Sequence, residues 1–374
     1  MSSLLVEPVR TWWQRRQFVR LPWNIYRGDP HWIPPLLGNQ NEMLNYTHSP
    51  FYDDAEIQTF LAKRNGAVVG RIAAIINHAH NRRFQEQRGF FGFFECEDDQ
   101  QTAVAMFDAV KQWLRERQMS AVRGPVNPSM NHECGLLVDG FDASPTFMNT
   151  YNPRYYSALV EGCGFHKAQD QYALHLRSSD LAEVVAKRAD FVRQCQERLN
   201  VKLRPLDMRN FKADVRLFME TFNRAYQKVW GFVPLSSAEM DHLAKGFKAL
   251  ITPDLTTIAE VNGQAVAALL PLLDYNPRIK AINGRLFPFG FIRLLANRRA
   301  IKQIRVISAQ VVPEFQRQGL GPILITQLLA AIQARGIEDV EFSTVIESNQ
   351  LSYTTLRRIG AKITKTYRIY DSEL

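Results

Sequence analysis

The sequence predicts two tandem α/β units. Two landmarks repeated at one offset, and a change of pattern near residue 178, carry that expectation. The first landmark is a hairpin. Residues 57–74 read apolar run, Asn65-Gly66, apolar run, and residues 257–269 repeat this around Asn262-Gly263. Asn-Gly between such runs is the strongest short hairpin signal, because both turn residues need positive φ. The two glycines lie 197 apart (263 − 66). The second landmark closes a helix, LVEGCGF at Leu159–Phe165 and LRRIGA at Leu356–Ala361, with Gly164 and Gly360 196 apart (360 − 164). One offset for two landmarks implies duplication of a single α/β unit. The pattern divides the chain into a first domain, 1–178, a connecting helix, 179–200, and a second domain, 201–374. Ser179 or Asp180 is the expected N-cap of the connecting helix, and Val201 opens the second unit's first strand.

Composition bounds the rest. The 374 residues are 46% hydrophobic and 22% charged, which excludes collagen-like, coiled-coil and largely disordered chains and leaves enough length for two cores. Cys96, Cys134, Cys163 and Cys195 are scattered with no C-x-x-C, so neither a zinc cage nor a disulfide framework is expected, and no metal. Residues 1–20 lack an apolar run long enough for a signal peptide, and no spanning segment is expected. The expected location is therefore cytoplasmic. A net charge of +9 favours an anionic partner: nucleic acid, anionic membrane or a phosphorylated cofactor.

The most informative stretch is Ile304–Arg335. A strand-like run is followed by the turn Gln316-Arg317-Gln318-Gly319-Leu320-Gly321, then a helix with Ile323, Leu324, Leu328, Leu329 and Ile332 at helical spacing. Strand, glycine turn and helix present bare backbone N–H groups to a phosphate, helped by the helix dipole and by Arg317. Neither the dinucleotide fingerprint nor the Walker motif is present.

V-x-P-E-[aromatic]-[QR]-x-x-G-x-G before an amphipathic helix resembles the acyl-CoA motif of the GNAT superfamily of acyl-CoA N-acyltransferases. Residues 340–361 resemble that superfamily's next strand and helix. The resemblance implies a mixed, largely antiparallel sheet flanked by helices in each unit, with acyl-CoA as co-substrate of the second. It implies that Gln310, Val311, Val312, Gln316, Arg317, Gln318, Gly319, Leu320, Gly321 and Asn349 face the cofactor. Two departures stand out. Leu356 occupies the position of the superfamily's frequent proton-donating Tyr, with Tyr353 one turn earlier, and Pro322 removes an N–H. The whole chain resembles a bacterial tandem GNAT group through PWNIYRGDPHWIPPL, GFFGFFECEDD, NHECGLLVDGFD and YNPRYY. That group is similar to bacterial ceramide synthases, which implies a long-chain acyl donor and a sphingoid-type amine.

In the first half, Glu95, Glu97, Asp98 and Asp99 stand where the glycine turn would be, before a helix with Val104, Phe107, Val110 and Leu114 at helical spacing. Four carboxylates repel a diphosphate, so this half is expected not to bind CoA. An inserted loop near 124–150 carries His132, Glu133 and Cys134, the densest group of acid–base candidates. Amide formation needs a base for the amine. The cofactor strand has no carboxylate, so Glu133, His132 and Glu347 are the candidates, and the amine is expected at a cleft between halves.

Residues 275–303 hold seven Lys/Arg, no acid, and an apolar cluster of Phe287, Phe289, Phe291, Ile292, Leu294 and Leu295. The segment reads either as an interfacial anchor on an anionic membrane or an acyl-chain lid, or as an insertion packed on the first domain with its charges solvated. Residues 11–23 share the basic-aromatic character, but no nucleic-acid-binding motif accompanies them. The expected function is an acyl-CoA-dependent N-acyltransferase, peripheral on the inner membrane face. The alternatives are a non-catalytic CoA-binding GNAT-fold protein and a basic nucleic-acid or membrane-binding module.

Overall fold

Both Asn-Gly pairs form the turns their chemistry requires, with φ of 48° and 82° at Asn65-Gly66 and 51° and 77° at Asn262-Gly263. Around them the computed structural model, which describes residues 4–374, builds two α/β units. Residues 1–3, the start of the expected first domain, lie outside the described residues.

The first unit is an antiparallel run of β1 (Leu4–Pro8), β2 (Ala55–Arg64), β3 (Ala67–Asn77) and β4 (Arg88–Cys96), closed by a parallel pairing of β4 with β5 (Ala121–Gly124). Helix Gln100–Arg115 packs on it. Asp99 caps the helix by accepting the Thr102 N–H. Its buried stripe is Ala103, Met106, Phe107, Val110 and Leu114. Val104, expected in that stripe, is exposed, because the buried arc is set one residue earlier on the turn. The inserted loop is not structureless. It holds the hairpin β6 (Val126–Asn127) and β7 (Glu133–Cys134), then β8 (Leu136–Asp139).

Strand β9 (His166–Arg177) leads into the connecting segment, which is two helices, Ser178–Ala186 and Ala189–Leu199, rather than one. Arg177 is the N-cap, so Ser179 and Asp180 lie inside the first turn. In the second unit both helices pack against helix Leu320–Arg335. Its strands repeat the first unit's order: β10 (Lys202–Pro205), β11 (Thr257–Val261), β12 (Gln264–Leu273) and β13 (Gln303–Val311) run antiparallel, and β13 pairs in parallel with β14 (Asp339–Ile346). The chain passes between the units more than once. Residues 276–294 and Lys365–Leu374 group with the first unit, where β15 (Lys362–Glu373) pairs with β5 and β8. Among the described residues no helix is long and apolar enough to cross a membrane.

Candidate functional site

In the second unit, β13 and β14 pair only from Gln303↔Asp339 to Val306↔Phe342, yet β13 runs on to Val311 and β14 to Ile346. Beyond Val306 the strands part, leaving an opening between them. A bulge where β12 passes Leu270/Pro271 marks the same level of β13.

Past the opening the chain makes the glycine turn. Gly319, at φ 99°, is the N-cap of helix Leu320–Arg335. Its helix takes the buried side chains the spacing predicts: Ile323, Leu324, Leu328, Leu329 and Ile332. The N–H groups of Gly319, Leu320 and Gly321 have no backbone acceptor within the described residues. Three convergent N–H groups at a helix N-terminus form an anion cradle. Leu320 is buried, so it offers the cradle only its N–H. Gln316 and Gln318 shape the turn from within: their side-chain amides donate to the carbonyls of Val311 (3.1 Å) and Glu314 (2.7 Å). Arg317, at φ 62°, is a cation on the same turn.

The backing of this turn was not legible beforehand. A Cβ on Gly319 would lie 2.4 Å from Cys195 Sγ, so helix Ala189–Leu199 lies directly behind it. From that helix Arg198 donates to the Gln318 carbonyl at 2.8 Å, which brings a second guanidinium to the turn.

Of Gln310, Val311 and Val312, expected to face the cofactor, Val312 does not offer its N–H, which is taken by Val266 O at 2.9 Å. Antiparallel alternation then turns Gln310 toward β12 as well, leaving Ala309 and Val311 facing the opening. The Gln310 side chain is buried, donating to Phe218 O and accepting from Ser308 Oγ. The residue missed is Tyr226, a buried phenol whose surroundings include Ser308 and the Ala309 backbone. Burial holds its acidity below that of a free phenol, Ser308 and the Ala309 backbone opposing only in part, so it stays protonated. A thioester carbonyl seeking the Ala309 N–H would meet this hydroxyl. The only advance signal was an aromatic residue at a helix end.

Beyond β14, Asn349 caps helix Gln350–Arg358 by accepting the Ser352 N–H at 3.3 Å, and Glu347 lies in the loop just before it. Tyr353 packs its ring 5.4 Å from that of Tyr172. Leu356, at the superfamily's Tyr position, is a buried core residue. Tyr353, Glu347 and Asn349 therefore share one end of β14 with the opening, whereas His132 and Glu133 belong to the first unit.

The first unit has the same skeleton with its opening filled. β4 and β5 pair only from Arg88↔Ala121 to Phe90↔Arg123 while β4 continues to Cys96. Into that gap comes β6. Asn127 Oδ1 accepts the Phe93 N–H at 2.7 Å, and a Cβ on Gly92 would lie 1.7 Å from Val126 O. The carboxylates behave as internal anions. Asp99 holds the helix N-terminus and, with Glu97, pairs with Arg64. Glu95 turns inward to Arg71 (3.3 Å) and the Tyr156 hydroxyl (2.8 Å). Burial raises the Glu95 carboxyl, Arg71 and the Tyr156 and Tyr26 hydroxyls opposing. One cluster thus unites the distinctive segments containing Tyr26, Glu95 and Tyr156. On the hairpin, His132 Nδ1 lies 2.8 Å from Ser129 Oγ, and Glu133 is opposite Asn127.

No family model matches the chain. It is 33% identical over 367 residues to Protein YghO of Escherichia coli K12, covering 96% of this chain and 93% of that one. It is 34% identical over 381 residues to a protein named bacterial ceramide synthase from Caulobacter vibrioides, covering 100% and 98%. Among solved structures, a tandem GNAT protein from the clavulanic acid biosynthesis pathway superposes with a TM-score of 0.56 at 11% identity, covering 99% and 98%. A GCN5-related glucosamine N-acetyltransferase region of a fungal multi-domain GH3 β-N-acetylglucosaminidase gives 0.60 at 14% identity, with the chain spanning 38% of that protein. An opened parallel strand pair ending in a backbone-lined glycine turn, set in a duplicated unit with the fold of tandem GNAT proteins and joined to full-length relatedness, places the chain in one family with YghO and the Caulobacter protein named bacterial ceramide synthase, as an N-acyltransferase of tandem GNAT fold.

Proposed function

We propose that the chain moves an acyl group from an acyl-CoA thioester, held by the second unit, to a primary amine, and that the amine is lipidic and the acyl donor long. The observation that carries the proposal is the asymmetry between the units. One opening is free and ends in unpartnered N–H groups, while the other is filled by its own chain. The Caulobacter relative's name supports the lipidic acceptor. So does the exposed apolar surface of residues 276–294, through which an anionic membrane is approached from the cytoplasmic side.

In this reading the amine nitrogen attacks the thioester carbon, the C–N bond forms and the C–S bond breaks. The amine proton goes to a base, Glu133 first, His132 next and Glu347 as the alternative. The CoA thiolate leaves and takes a proton from a phenol, Tyr353 or Tyr226. Arg317 and the Gly319–Gly321 backbone hold the diphosphate, and Asn349 lies on the cofactor side. Leu356 in place of Tyr favours a second reading, CoA binding without turnover.

Calorimetric titration of CoA and thiol release from palmitoyl-CoA and acetyl-CoA, with sphinganine or water-soluble amines, test both. One CoA per chain with palmitoyl-CoA and sphinganine preferred is expected. Two equivalent sites sink the asymmetry, no thiol release leaves the second reading, and preference for acetyl-CoA with a soluble amine overturns the lipidic class. Glu133→Gln is expected to lower turnover about a hundredfold or more with CoA affinity unchanged. Full activity in that variant moves the base to Glu347.

A further inference from the structure

Two basic-aromatic segments far apart in the sequence meet in the first unit. Trp23 Nε1 donates to Asn283 Oδ1 at 2.7 Å, the Leu37 N–H donates to Gly284 O at 3.1 Å, and the Lys280 ammonium donates to Pro30 O. Ile279, Ile282 and Leu294 are buried, and Asn276 donates to Pro145 O at 2.7 Å, so residues 276–294 are anchored as an insertion on this unit. Anchoring does not cover the remaining apolar side chains. Phe287 is 81% exposed and Phe289 69%, with Phe291 and Ile292 also exposed.

The amino-terminal helix Trp12–Arg20 shows the same imbalance. It buries Phe18 and Val19 but leaves Trp12 61% and Trp13 69% exposed, stacked edge to face at 4.5 Å. Trp12, Arg16 and Arg20 recur every four residues and share one face. Arg16 lies over Trp12 and Arg20 over Trp23, the residue that bonds the insertion. Arg20 is within electrostatic reach of both Arg16 and Arg285. None of Arg16, Arg20, Arg285 and Arg293 has an acidic partner among the described residues, and no acid occurs in 8–28 or 275–303.

We infer that helix Trp12–Arg20 and the insertion Asn276–Leu294 form one composite face that docks the first unit on an anionic lipid bilayer. Large aromatic side chains held in water beside unpaired guanidinium groups match the two layers of a membrane interface. The rings enter the headgroup–acyl boundary and the cations meet lipid phosphates. A second copy of the chain fits poorly, since a self-complementary contact sets this acid-free face against itself. A nucleic acid satisfies the cations but gives Ile292 and the crowded phenylalanines no apolar layer. The inference extends the lipidic reading above but stands on the surface alone, so its test reads lipid binding apart from acyl transfer.

The experiment is flotation of the full chain with vesicles of phosphatidylcholine with and without phosphatidylglycerol, alongside tryptophan emission. Wild type is expected to float only with phosphatidylglycerol and to shift its emission to the blue. Trp12→Ser/Trp13→Ser and Phe287→Ser/Phe289→Ser are each expected to weaken partition roughly tenfold or more. Arg16→Glu/Arg285→Glu is expected to abolish the lipid-charge dependence. CoA titration of each variant reports that it is folded. No flotation of wild type overturns the inference. So does flotation that ignores the Trp12/Trp13 pair, self-association that the same variants abolish, or displacement of the vesicles by an oligonucleotide. Vesicle binding without acylation of any lipid amine leaves the docking face standing and sinks the substrate class instead.

Discussion

Gly319 and Gly321 flank one residue of the same turn, and replacing each by Ala should separate what the turn needs for its shape from what it presents to a ligand. Gly319 sits at φ 99°, where an L side chain is strained, and its added Cβ would lie 2.4 Å from Cys195 Sγ and 2.9 Å from Cys195 Cβ. A non-glycine residue in left-handed backbone costs about 1–2 kcal/mol, and overpacking a filled site about 1–3 kcal/mol. The sum, about 2–5 kcal/mol, is enough to lower Tm by several degrees in a unit of this size. Relief comes most easily from rotating the turn, which swings the Gly319, Leu320 and Gly321 N–H groups out of register with a diphosphate. Losing one charge-assisted hydrogen bond of about 1.5–3 kcal/mol weakens CoA about 10- to 150-fold. A Cβ on Gly321 meets nothing within 4 Å and its φ is ordinary, so Gly321→Ala should leave Tm and CoA affinity close to wild type. Cys195→Ala added to Gly319→Ala removes the Sγ contact but not the φ strain, so it should recover only part of the lost stability. Thermal unfolding and CoA calorimetry on the three variants read all of this. Wild-type CoA binding by Gly319→Ala, or equal losses at both glycines, would refute the reasoning.

Three further outcomes are expected. Arg198→Ala should weaken CoA several-fold with no effect on pantetheine, because the guanidinium at the Gln318 carbonyl reaches only the phosphate end; equal loss for both ligands places Arg198 in folding alone. Tyr226→Phe should lower turnover about tenfold or more at unchanged CoA affinity, since it removes the buried phenol near Ala309; unchanged turnover in single-turnover assays removes Tyr226 from the chemistry. His80 is buried against Phe90, and desolvation pushes its pKa down from 6.5 to about 4. The folded state therefore resists protonation while the unfolded state accepts it, so stability falls as pH drops from about 6.5 to about 4, by up to about 3 kcal/mol. Denaturant titration across that range should show a shallower fall for His80→Leu, and an unchanged slope would remove His80 from the account.

What the sequence determined by itself were features whose physics is local. Asn65-Gly66 and Asn262-Gly263 adopt left-handed pairs because those residues tolerate positive φ, and from them the duplication follows. Asp99 and Asn349 cap helices by equally local chemistry, a short polar side chain reaching the N–H three residues on, but the sequence reading gave them other roles, a carboxylate repelling a diphosphate and a residue on the cofactor side. The glycine turn is recognisable because its N–H groups are left over by the helix that follows it. The tertiary structure alone decided everything that depends on segments meeting across tens or hundreds of residues. Only packing brought Val126–Asn127 into the gap beside β4, put Cys195 behind Gly319, delivered Tyr226 to Ala309 and drew Glu95 inward to Arg71 and Tyr156. The side chain of Gln316 could as well have reached a ligand as the Val311 carbonyl, and spacing within the chain does not distinguish the two. Periodicity reports which face of an element is apolar, but not what covers it. For that reason Trp12 and Phe287 became one surface only when the fold set their segments side by side.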